Sequence, residues 1–160
     1  MADTLAELDA EAVDSAITSV LDDIDGISSL KSEQRDALNN FVRGKDVFGV
    51  LPTGFGKSLI YQLVPLVWKK LGKAKPVVVV VSPLVSLMED QIREASKLGV
   101  TATQLGLDDE GVVQGKYMLV FGGPERWVMQ EKWREVLSSA TYRENLVGLV
   151  VDEVHITYKW

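Results

Sequence analysis

The eight residues LPTGFGKS, Leu51 to Ser58, decide how the rest of this sequence is read. They follow an apolar run, DVFGVL (46–51), with the composition of a strand. After them Ile60, Leu63, Val64 and Val67 recur at helical spacing. A strand, a glycine-bearing loop and a helix in that order make a nest for an anion. Gly54 and Gly56 permit the turns that aim successive N–H groups inward, and the helix adds the positive end of its dipole. Phosphate is the anion this arrangement suits. Pro52, Thr53, Gly54, Phe55 and Gly56 form the loop, Lys57 reaches the terminal phosphates of a nucleotide, and the Ser58 hydroxyl ligates Mg²⁺. One departure stands out: the first position of the usual G-x-x-x-x-G-K-[ST] pattern is Leu51 rather than glycine.

The wider composition fits an ordinary globular domain. The chain has 160 residues, 46% hydrophobic and 25% charged, enough to bury a core. It has no cysteine and a single histidine, which removes disulfide scaffolds, thiolate chemistry and multi-imidazole zinc sites together. No apolar run approaches the roughly 18–20 residues that span a bilayer. The formal charge of −6 is uneven. Of the 23 acids, eight precede residue 31 with no base among them, which leaves 15 acids against 17 bases in the remainder. A slightly basic body therefore follows an acidic leader, and net charge alone does not exclude a polyanionic partner.

In that leader, Leu5, Leu8, Ala12, Val13, Ala16, Ile17, Val20, Leu21 and Ile24 share one helical face, and Thr4 with Glu7 has the form of a capping box. Residues 1–27 read as an acidic helical leader that packs through this face, with an interaction arm as the sharper alternative. A helix bearing Ala37, Leu38, Phe41 and Val42 ends near Gly44. The helix after Lys57 contains Pro65, which is expected to kink or break it. PVVVVVS (76–82) is apolar on both faces, as in a strand buried between helix layers. A helix over about 84–98, closed by Gly99, a short strand in VTATQL (100–105) and a better one in YMLVF (117–121) follow. LDDEGVVQGK (107–116) looks like a linker, PERWVMQEKWREVL (124–137) like one helix with proline in its first turn, and 146–151 like the last strand. Strands alternating with helices predict an α/β fold: a mostly parallel sheet with helices on both faces.

The last strand runs into Asp152, Glu153 and His155. A carboxylate at a buried strand end can hold the Mg²⁺ shell, which is the role of Asp152, while Glu153 can orient or deprotonate an attacking water. Joined to Lys57 and Ser58, this pair makes ATP or GTP with Mg²⁺ the expected ligand. His155 beside them is placed to sense the γ-phosphate or a nucleic acid.

Five ordered segments carry a resemblance. PTGFGKSLIYQ (52–62) and DEVH (152–155) resemble the first, RecA-like motor domain of superfamily 2 helicases, specifically the RecQ branch. LKSEQRDAL (30–38) is similar to that branch's adenine-recognition segment, in which Gln34 would read the base; an amide both donates and accepts, which suits adenine N6 and N7 and favours ATP. VVSPLVSLMEDQ (80–91) and FGGPERW (121–127) resemble segments that contact the single-stranded DNA backbone, which implies contacts from Ser82, Pro83, Ser86, Gln91, Pro124 and Glu125. Trp160 falls where the branch begins an aromatic-rich loop near DNA. Trp127 and Trp133 read instead as packing residues. DEAD-box RNA helicases are less similar, because they carry a Thr-Arg pair where this chain has PLVSLMEDQ.

The resemblance covers residues 28–160. It departs at Val154, where alanine is usual, near Gly123, where serine or threonine is usual, and between His155 and Trp160. It implies an ATP-dependent 3′-to-5′ DNA helicase acting on single-stranded and partly duplex DNA, with a nuclear location following from the substrate. It also implies a continuation, with a further strand, a Ser-Ala-Thr-type motif and a second domain whose arginine stabilises the transition state. Residues 28–160 are thus expected to be a truncated first motor domain, inactive alone. The alternative is a nucleotide- or DNA-binding module without productive hydrolysis.

Overall fold

The computed structural model describes residues 9–24, 30–44, 57–82 and 85–151; the side chains of residues 57, 58, 85–87 and 151 lie outside that description. Also outside it are the expected strand at 46–51, the loop residues 51–56, the Thr4–Glu7 capping box, and Pro83, Asp152, Glu153, His155 and Trp160.

The described elements alternate as the sequence predicts. Helices α1 (Ala10–Asp23), α2 (Ser32–Val42) and α3 (Lys57–Lys70) lead into β1 (Val77–Val81), then α4 (Val85–Lys97) and β2 (Ala102–Gln104). Helix α5 (Asp109–Val113), β3 (Leu119–Gly122), three short helices α6 (Pro124–Trp127), α7 (Glu131–Leu137) and α8 (Ala140–Asn145), and β4 (Leu146–Val151) complete the order. The strands form one sheet in the order β2-β3-β1-β4, and every pairing is parallel.

Because side chains alternate across a strand, the sheet divides the core in two. Val78, Val80, Leu119 and Phe121 pack under α1, α2, α3 and α4. Val77, Val79 and Val120 face the other way, against Val112, Trp127, Trp133, Val136 and Tyr142. This is the two-faced α/β architecture expected, and it explains why VVVVV shows no polar alternation.

The acidic leader packs. Val13, Ala16, Ile17, Val20 and Leu21 of α1 are buried in the first core, while Ala12 is exposed. Burial of a side chain the size of Ile17 is worth about 1.5–3 kcal/mol. Asp9 is the N-cap, its carboxylate accepting from the Ala12 N–H at 2.6 Å. Lys70 at the end of α3 pairs with Asp23 at 2.5 Å, tying the leader to the helix that follows the phosphate loop.

Three expectations are corrected. Helix α3 continues through Pro65, so the break allowed for there does not occur. The proline withholds one N–H from the helical ladder, but Leu63, Val64 and Val67 around it are fully buried and hold the turn in place. The segment at 107–116 is not a linker: Asp108 caps α5, accepting from the Gly111 N–H at 3.1 Å and from the Tyr117 hydroxyl at 2.5 Å. The stretch 124–137 is two helices, α6 and α7, with Gln130 extended between them. On one continuous helix Trp127 and Trp133 would point about 120° apart. The break lets both enter the same core, where their rings meet edge to face at 5.8 Å.

Candidate functional site

Parallel strands present all their C-terminal ends along one edge of the sheet, and that edge is where open α/β folds bind ligands. The register makes the edge level: Val81 pairs with Gly122 on one side and with Val151 on the other. The residues that follow this line in sequence are Ser82, Gly123 and Asp152. The Ser82 N–H donates to the Gly122 carbonyl at 2.9 Å, which extends the ladder one step past β1. The backbone therefore gathers the segment after β1, the PERW segment after β3 and the chain entering Asp-Glu at one end.

Helix α3 begins at Lys57 and packs over β1 and β4, with Tyr61 edge-on to Phe121 of β3 at 6.1 Å. Lys57 and Ser58 thus belong to the first turn of a helix lying on the strand that ends before Asp152. The donor set suggested for Mg²⁺, a Ser58 hydroxyl and an Asp152 carboxylate, is all oxygen, as that hard cation requires.

Gln34 is in the first turn of α2 and only 7% exposed. Its side-chain oxygen accepts from the Lys31 N–H at 3.0 Å, closing a capping box. The cap ties the side-chain amide of Gln34 to the start of its own helix. Sequence reasoning singled out Gln34 but not this tether. A glutamine three residues inside a helix start is the signal that could have revealed it.

The suggested DNA contacts divide by exposure. Pro124 and Glu125 are exposed at the start of α6, as is Arg126, a cation of the same loop that the sequence reading passed over. Gln91 is half-buried on α4. Ser82 is 1% exposed, so its side chain faces the interior. Trp127 and Trp133 are buried, as packing residues should be. Ser86 lies on α4, its side chain outside the described residues. At the opposite end of the sheet, a cleft of about 360 Å³ is lined by Lys69, Lys75, Lys116 and Tyr117, remote from the edge that gathers the motifs.

A two-faced parallel α/β sheet carries the phosphate-loop sequence before one of its helices and the acidic pair after its last strand, the fold and motif order of a helicase-type α/β domain. The DEAD/DEAH box helicase model matches residues 31–160, and the chain belongs to that family. Within it the relatives are RecQ-like. The chain is 38% identical over 150 residues to ATP-dependent DNA helicase Q-like SIM of Arabidopsis thaliana, covering 90% of this chain and 16% of that protein. It is 34% identical to ATP-dependent helicase SGS1 of Saccharomyces cerevisiae, over 84% of this chain and 10% of that protein. It is 32% identical to ATP-dependent DNA helicase Q1 of Rattus norvegicus, over 88% of this chain and 24% of that protein. The chain thus spans a quarter or less of each of these relatives. A crystal structure of the DUF1998 helicase MrfA bound to DNA and AMPPNP has the same fold, with a TM-score of 0.65 and 22% identity over 89% of this chain and 21% of that one. Among the described residues no helix is long and apolar enough to cross a membrane.

Proposed function

We propose that this chain is the ATP-binding part of the first motor domain of a RecQ-type DNA helicase, and that the protein containing it unwinds DNA in the 3′-to-5′ direction at the expense of ATP. The observation that carries the reading is the level strand edge. It brings the segments after β1 and β3 to the end of β4 that leads into Asp152, with the helix that starts at Lys57 packed against β4.

Each residue then has a task. Residues Pro52 to Gly56 wrap the phosphates, Lys57 neutralises the β- and γ-phosphates, and Ser58 and Asp152 hold Mg²⁺, which supplies charge stabilisation when bound. Glu153 orients the attacking water. His155 links the phosphate side to the DNA side, and Gln34 selects adenine. The segments at Pro83–Gln91 and Pro124–Arg126 touch the DNA backbone, and Trp160 stacks on a base. A nuclear location accompanies a DNA substrate and forms part of the same proposal.

The test is unwinding by the full-length protein on duplexes carrying either a 3′ or a 5′ single-stranded tail. The proposal expects ATP-dependent unwinding of the 3′-tailed duplex alone, abolished by Lys57→Ala. Unwinding that survives Lys57→Ala, or that prefers the 5′ tail, would overturn it.

A further inference from the structure

Helices α1 and α2 run antiparallel, and a line of polar contacts joins them. The Arg35 guanidinium donates from Nε to the Asp14 carboxylate at 2.6 Å, and from Nη2 to the Asp14 carbonyl at 2.9 Å and the Thr18 hydroxyl at 2.5 Å. One turn further along α2, the Asn39 amide donates to the Ala10 carbonyl at 2.9 Å. Asn39 in turn accepts from Arg43 Nε at 2.8 Å. Arg35 is the immediate neighbour of Gln34.

We infer that Asp14 and Thr18 of the acidic leader are positioning residues for adenine recognition, acting through Arg35 on the setting of Gln34. This rests on the reading of Gln34 as the adenine-contacting residue. The apolar seam between the helices is non-directional and tolerates a few degrees of rotation of α2 about its axis. A hydrogen-bonded base does not, because such bonds weaken steeply with misalignment. The planar Arg35 fork with its three acceptors fixes the rotation that the seam leaves free. The Lys31 tether fixes the Gln34 amide relative to its own helix, and the Arg35 clamp fixes that helix relative to the leader. The clamp is solvent-accessible, with the Arg35 side chain 27% and that of Asp14 54% exposed, so it adds little to overall stability and its loss leaves the fold intact.

The test compares equilibrium binding of fluorescent ATP and GTP analogues to the full chain and its variants. Wild-type protein should bind the ATP analogue more tightly, and Gln34→Ala should bring the two affinities together. Arg35→Ala and Asp14→Asn should each weaken ATP binding about three- to tenfold while leaving GTP binding unchanged. The double variant should lose no more than Arg35→Ala alone, because Asp14 acts only through Arg35. If Gln34→Ala loses discrimination but Arg35→Ala and Asp14→Asn keep it, the clamp inference is overturned and the adenine reading stands. If Gln34→Ala keeps discrimination, the adenine reading fails and the inference with it. Additive losses in the double variant, or equal weakening of both nucleotides, would also overturn the positioning role. Asp14→Asn alters an exposed carboxylate on the helix surface, so it remains informative if Arg35→Ala does not fold.

Discussion

The indole nitrogen of Trp127 lies directly over Gly122: a Cβ built on that glycine would stand 2.5 Å from it and 2.7 Å from the Leu105 side chain. Gly122 ends β3, and Trp127 ends the helix that presents Pro124, Glu125 and Arg126 at the motif edge. The absence of a side chain at Gly122 is therefore what seats the PERW segment. Gly122→Ala should destabilise the fold by about 1–3 kcal/mol, the usual cost of overpacking a filled core, read as a lower urea midpoint. An unchanged midpoint would show that α6 moves aside without cost.

Tyr142 should make stability depend on alkaline pH. Its hydroxyl donates to the buried Val112 carbonyl at 2.7 Å, and burial pushes its ionisation well above the ordinary value for a phenol. A group whose pKa is raised on folding contributes stability that is whole below the unfolded value, near 10, and is lost as pH rises through the folded one. Tyr142→Phe should cost about 1 kcal/mol near neutral pH and flatten the decline above pH ~10. Some decline should persist, because Tyr117 is also raised, first by its hydrogen bond to Asp108. Denaturant midpoints measured between pH 8 and 11 decide it, and identical slopes for both proteins would refute the assignment.

Asp108 predicts the opposite limb. The Tyr117 hydroxyl, the Gly111 N–H and Lys116 hold its carboxyl below the ordinary value. Its contribution is present above the unfolded pKa and is lost as pH falls through the lower folded one. Asp108→Asn should thus lower stability at neutral pH and reduce the loss on acidification below pH ~4. A variant as acid-sensitive as wild type would exclude this role.

The fold was largely legible because its signals are periodic. Five consecutive valines announced a strand covered on both sides, and the spacing of Ile60, Leu63, Val64 and Val67 announced the face of α3 that is buried. What escaped were choices made by tertiary contacts. Asp108 reads as a loop residue until Tyr117 is seen folded onto it, and 124–137 reads as one helix until two indoles need the same core. Gly148 gave no signal, yet it clears room for the Phe41 ring of α2 against β4. In the site, the phosphate-loop and acidic-pair motifs stand in the sequence but lie largely outside the described residues, whereas the Arg35 clamp was not legible, because its partners lie 17 and 21 residues away.

Residues 1–160 alone should show little DNA-stimulated ATP hydrolysis. Arginine fingers in GTPases contribute about 10³–10⁵ in rate, and the helicase resemblance implies such an arginine from a second domain. A phosphate-release assay on residues 1–160 with and without single-stranded DNA checks this, and vigorous stimulated turnover would contradict it.

The central claim is that Lys57 grips the phosphates of ATP. Titration of a fluorescent ATP analogue with Mg²⁺ into the wild-type chain and into Lys57→Ala tests it most directly. Saturable binding that weakens about ten- to a hundredfold in the variant, the worth of a charge-assisted contact, is the predicted result. Equal affinity in both proteins, or no saturable binding by the wild type, would contradict it.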